Sequence, residues 1–213
     1  MTRGHGRRVL RLAAILAVGA ICIVGADRYR RSLRPKPAPE DVQRQGIEIV
    51  QGILTQVRAT PFGQSQRGQL LVAQIESFLQ RDRVVFTADI TSQALYRREP
   101  LGFEALYVKL FRMGGRWVHQ DAELIAEGIF HEAVHALKSG YGGSSMEEEC
   151  DGFSAGLSAG AAMTGKVLPD PLLLDGLPVA EFVRKAYPNL PRRPDYQPVG
   201  ESREWLARRT GLQ

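Results

Sequence analysis

The sequence predicts an α+β fold: helices packed around a small, mainly antiparallel sheet, with an apolar N-terminal segment standing apart from it. Three observations predict it. Apolar residues recur at helical spacing over residues 40–80, the period shortens to strand-like alternation between 83 and 120, and helical spacing returns from 121 onward. At 213 residues the chain is long enough to bury a sizeable core as one domain.

The N-terminal segment is set apart by charge and hydropathy. Of 28 Lys and Arg and 23 acids, nine bases and one acid fall in residues 1–36, leaving 19 bases and 22 acids for the rest. The high pI therefore belongs to the N-terminus, and the remainder is slightly acidic. That excludes a nucleic-acid footprint on the folded domain. Residues 12–26, LAAILAVGAICIVGA, carry no charge and follow Arg3, Arg7, Arg8 and Arg11. Residues 1–32 thus read as a signal or anchor, with 9–26 as the stretch that meets the membrane. Two fates fit. Val24-Gly25-Ala26 suits cleavage, whereas the basic cluster from Arg28 to Arg34 resists translocation and favours an uncleaved anchor. Either fate puts the domain on a membrane or in the cell envelope. The outer side is favoured, although basic residues flank both ends of the run. Residues 33–39, LRPKPAP, form a proline-rich linker, and 40–213 the domain proper. Of the two cysteines Cys22 lies in the apolar run, so the domain has no disulfide framework.

Within the domain, Val42, Ile47, Ile49, Val50, Ile53, Leu54 and Val57 make a helical stripe over 40–59, ended by Thr60-Pro61. A second helix, 65–80, turns Leu70, Leu71, Ile75, Phe78 and Leu79 inward. Residues 83–90, 104–111 and 116–120 are predicted strands, the last two joined by a tight hairpin at Gly114-Gly115. Asp121 is a suitable N-cap for a helix running to Gly140. Ser144 or Ser145 caps the next, 146–165, whose many small residues imply close approach of another backbone. A short helix near 178–187 and an amphipathic one around Trp205 complete the chain and cover the core.

The chemistry lies in two of these helices. His131-Glu132-Ala133-Val134-His135 places two of the chain's four histidines one turn apart on one helix face, so both rings can reach a single metal ion. Glu132 lies beside them as a proton carrier. A catalytic zinc takes three protein ligands and keeps a fourth position open. The third can come from Glu147, Glu148, Glu149 or Asp151, all at the start of the next helix. The acidic run has a plainer use too: it complements a helix N-terminus, and Ser145 with Glu148 fits a capping box.

Over about residues 121–160, the HExxH run followed by E-x-x-x-D resembles the gluzincin, thermolysin-like branch of the zincin metallopeptidases. The resemblance implies a zincin-like fold, Zn2+ as cofactor, Glu147 as third ligand, and Asp151 accepting a hydrogen bond from the free ring nitrogen of His131. It also implies hydrolysis of a peptide or protein substrate, with zinc acidifying the water and Glu132 acting as general base. The chain departs from the family in its short interval between His135 and Glu147 and in Cys150, where alanine is common. Tyr141, with His119 second, is the expected donor to the oxyanion. Two other functions stay open at this point. One is hydrolysis of a non-protein amide. The other is a membrane-tethered structural or binding protein that keeps the fold without turnover.

Overall fold

The computed structural model describes residues 34–98, 102–138 and 144–212. The apolar run at 12–26 lies outside them, and among the described residues no helix is long and apolar enough to cross a membrane. From Pro37 onward the chain forms one unit of mixed α and β structure.

Helix α1 (Glu40–Arg58) buries Val42, Val50, Ile53, Leu54 and Val57, the stripe read from the sequence. The linker joins the fold earlier than its composition implies: Ala38 is buried and its N–H donates to Phe86 O at 2.9 Å. Thr60 caps the one-turn α2 (Pro61–Gln64), and Ser65 caps α3 (Gln66–Gln80). In α3 the inward set is Leu71, Val72, Ile75 and Phe78, whereas Leu70, expected inside, is exposed. The rotation is fixed by Arg67 and Gly68, which are buried on the same face as Leu71 and Ile75.

The sheet holds β1 (Val84–Thr87), β2 (Ala94–Arg98), β3 (Glu104–Met113) and β4 (Arg116–His119). β3 lies between β1, its parallel neighbour, and antiparallel β2, and its C-terminal half pairs antiparallel with β4. Two of three pairings are antiparallel, as expected. Gly114 and Gly115 both take positive φ, which the tight β3–β4 turn requires. The sequence reading stopped short of β2. Its period is interrupted by Arg97 and Arg98, and only pairing to β3 makes it a strand. Leu106, Val108 and Leu110 of β3 enter the main core, while Ala105 and Tyr107 pack with Ile90 on the opposite face.

Two long helices complete the main core. α4 (Ala122–Lys138) contributes Ile125, Ile129, Phe130, Ala133 and Val134, and α5 (Met146–Thr164) contributes Ala155 and Ala159. The other side of α5 faces a second apolar cluster built from Met146, Cys150, Leu172, Val179, Val183, Tyr196 and Leu206. A two-stranded ribbon, β5 (Leu173–Leu174) with β6 (Leu177–Pro178), and helices α6 (Val179–Ala186) and α7 (Arg203–Thr210) supply that cluster.

The small residues of α5 have a specific use. Gly152, Gly156 and Gly160 recur every four residues along one face. A Cβ at Gly156 would lie 2.5 Å from the Glu127 carbonyl oxygen, and one at Gly152 would lie 3.0 Å from the His131 ring. The stripe lets α5 close on α4, and through that contact it sets where the histidine ring stands. Gly156→Ala should therefore cost about 1–3 kcal/mol through overpacking. Gly52→Ala, in α1 with nothing within 4 Å of its Cβ position, should instead stabilise by up to about 1 kcal/mol. Urea unfolding of both variants checks the opposite signs.

Candidate metal centre and cleft

α4 presents His131 and His135 one turn apart, their Nε2 atoms 3.0 Å from each other. The N-terminal turn of α5 brings Glu149 against both. Its Oε2 lies 3.3 Å from His131 Nε2, and its Oε1 lies 3.4 Å from His135 Nε2. These three are the only described residues whose His, Cys, Asp or Glu ligand atoms gather within 4.8 Å of one another. Ligands held tetrahedrally at about 2.0–2.2 Å from one zinc ion stand roughly 3.3–3.6 Å apart. The distances here, 3.0 Å between the ring nitrogens and 3.3 and 3.4 Å from them to the two different oxygens of Glu149, are of that order, so the group can hold a metal ion such as zinc.

Neighbours fix each member. Glu148 is fully buried, and its Oε1 lies 2.8 Å from His135 Nδ1, which leaves Nε2 facing the centre. Ser144 Oγ donates to Glu149 Oε1 at 2.7 Å. Ser145 caps α5 by accepting from the Glu148 N–H. The reciprocal half of the expected capping box is not made, since the Glu148 carboxylate goes to His135. Burial works against charge on His135, but Glu148 and the neighbouring charges of Glu132 and Glu149 outweigh it and carry the imidazole up to about 9. Burial likewise opposes charge on Glu149, yet His131, His135 and Ser144 hold its carboxyl below the usual range.

Glu132 leans to the other side of its helix turn and accepts the Tyr96 N–H of β2 at 2.7 Å. Burial pushes its pKa up, against the lowering pull of both histidines and of that N–H. A carboxyl so placed holds a proton more firmly than an exposed one, as a proton carrier must.

Two residues expected at the centre are elsewhere. Glu147 is not brought to the histidines. Arg192 Nε donates to its Oε1 at 2.7 Å and the Arg193 N–H to its Oε2 at 2.6 Å. The reason is helical phase: Glu147 and Glu149 lie about 200° apart around α5, so only one can face α4. Asp151 does not touch His131. It is fully buried between Arg67 Nη1 at 2.6 Å, the Tyr196 hydroxyl at 2.8 Å and the Val199 N–H at 3.0 Å. His119 packs edge-on against Phe86 at 5.3 Å and takes no part in lining the cleft beside the histidines. Tyr141 falls outside the described residues.

His131 and Glu132 open into a cleft of about 290 Å³. The start of β2 at Gln93 and Ala94 forms one wall. Phe153, Leu157, Leu174 and Phe182 form an apolar one, and Tyr187 and Glu127 stand at the rim. His131 and Phe182 both pack edge-on against Phe153, at 4.5 and 5.5 Å. Burial, then the charges of Glu149 and Glu132, raise the pKa of Tyr187, which keeps its hydroxyl protonated beside the centre. The sequence alone does not show this wall, because its residues come from α5, β5 and α6 and meet only in the fold. Glu127, by contrast, lies four residues before His131 and could have been found by helical spacing.

No protein-family model, no curated protein and no solved structure matches the chain.

Proposed function

We propose that the protein is a zinc-dependent metallopeptidase of zincin type, with His131, His135 and Glu149 as ligands, acting on peptide or protein substrates from a membrane-tethered or exported position. The observation that carries this reading is the group of three ligand residues with a half-buried carboxylate, Glu132, beside it on the cleft, held among the described residues only by the Tyr96 N–H. His131, His135 and Glu149 would hold a zinc ion, which would supply Lewis acidity to polarise a carbonyl and acidify water. The remaining work falls to the chain. Glu132 takes a proton from the attacking water and hands it to the leaving amine, and the Tyr96 N–H holds that carboxylate in place. Glu148 fixes the ring of His135 with Nε2 inward. Of the two hydroxyls among the described residues that line the cleft, Ser92 donates to Ala94 O, and Tyr187 is our candidate donor to the developing oxyanion. A purely structural zinc site closes its fourth position with another protein ligand and has no use for a base. Glu132 and the open cleft therefore favour turnover over a tethered binding role. The apolar wall of Phe153, Leu157, Leu174 and Phe182 suits an apolar side chain beside the reacting bond, which favours a peptide over another amide.

Metal analysis of the purified full chain tests the ligand set. One zinc per chain is expected, and His131→Ala, His135→Ala or Glu149→Gln should each remove or strongly weaken it. Glu148→Gln should cost about 10–100-fold in affinity, as for a group that orients a ligand. Glu147→Gln should cost much less than Glu149→Gln, because its carboxylate binds Arg192 and the Arg193 N–H and not the metal. Full zinc occupancy in a His131→Ala/His135→Ala double variant would overturn the assignment.

A further inference from the structure

Glu127 lies one turn before His131 on α4, and both residues line the cleft. Its carboxylate makes no hydrogen bond or ion pair among the described residues, and the nearest base, Lys166, is taken by Glu123 at 2.6 Å. No Lys or Arg is among the described residues that line the cleft.

The carboxylate is nonetheless seated in the packing and does not simply project into water. A Cβ at Gly160 would stand 2.6 Å from both Glu127 Cγ and Oε1, so α5 omits a side chain there to admit it. The glycine column thus shapes space for two cleft groups, the ring of His131 at Gly152 and the carboxylate of Glu127 at Gly160. Burial, and then the like charge of Glu123, raise its pKa, so in the free protein the ionised form is held at a cost. A ligand of opposite charge removes that cost.

Resting on the metallopeptidase reading above, we infer that Glu127 determines specificity by receiving a cationic group of the substrate, at the end of the cleft away from the histidine pair. The carboxylate is seated at Gly160 and the His131 ring at Gly152, eight residues or about 12 Å apart along α5, and an extended peptide advances about 3.3–3.6 Å per residue, so the cation lies about three to four residues from the bond that is cut. The shared chemistry is an ammonium or guanidinium, supplied either by a basic side chain or by the substrate's own N-terminus.

Binding to the full chain carrying Glu132→Gln, loaded with zinc, tests this without turnover. The probes are three alanine- and phenylalanine-based hexapeptides. One has a free α-amine and no lysine, one is acetylated with a single lysine, and one is acetylated with norleucine in its place. At least one cationic peptide should bind about tenfold or more tightly than the norleucine peptide, and which one does so identifies the source of the cation. Adding Glu127→Gln should abolish the difference. Equal binding of all three, or a difference that survives Glu127→Gln, overturns the role of Glu127 and leaves the metallopeptidase reading standing. Failure of every peptide to bind a zinc-loaded chain counts against that reading itself, and this inference falls with it.

Discussion

Glu132→Gln should leave zinc on the protein and reduce hydrolysis of an unstructured substrate such as casein by about 10²–10⁴-fold, the usual worth of a general base. The amide keeps an oxygen that can accept the Tyr96 N–H now held at 2.7 Å, so the fold and the ligand group should be undisturbed. What it cannot do is carry a proton. Zinc content, thermal unfolding and casein hydrolysis, measured on the same preparation, separate these effects. If wild type and variant are equally inert over a broad peptide library, a tethered binding protein is the better description.

The largest expected stability effect lies away from the histidines. Arg67 and Asp151 are both buried and meet at 2.6 Å, with a second bond from Arg67 Nη2 to the Asp151 carbonyl at 2.8 Å. Arg67→Met leaves a carboxylate buried with only the Tyr196 hydroxyl and the Val199 N–H to stabilise it. Removing one partner of such a pair costs about 3–5 kcal/mol, which lowers the Tm of a domain this size by about 6–20 °C. Removing both charges, as in Arg67→Met/Asp151→Leu, should recover part of the loss, because the uncompensated charge goes too. An Arg67→Met variant that unfolds like the parent would show that the pair carries no such weight.

Much of this site was legible in the sequence, and the part that was not has a definite cause. His131 and His135 lie within one helix, where a spacing of four fixes their relation without reference to the rest of the molecule. The roles of Glu147 and Asp151 are what the zincin resemblance implies, carried across a turn between two helices. There the outcome depends on the rotation of α5 about its axis, which spacing does not contain. The rotation is set by contacts far away in sequence: Arg192 and Arg193 draw Glu147 toward the C-terminal segment, Arg67 and Tyr196 draw Asp151, and Glu149 is what then faces α4. The glycine column was legible as a close approach of backbones, though not as the seat of particular side chains. Strand β2 went unread because its partner, β3, supplies its order.

The first turns of α5 therefore bind in several directions at once, with Glu147 on residues 192–193, Glu148 on His135, Glu149 at the histidine pair and Asp151 on Arg67 and residues 196–199. Positions this close on one rigid helix cannot shift independently. Occupancy at the histidine pair and the docking of the C-terminal segment are accordingly thermodynamically linked, each lending the other the same free energy. A cation at one end of that turn protects the C-terminal segment from local opening, and a lesion in the segment is felt as weakened metal affinity, although the segment supplies no ligand.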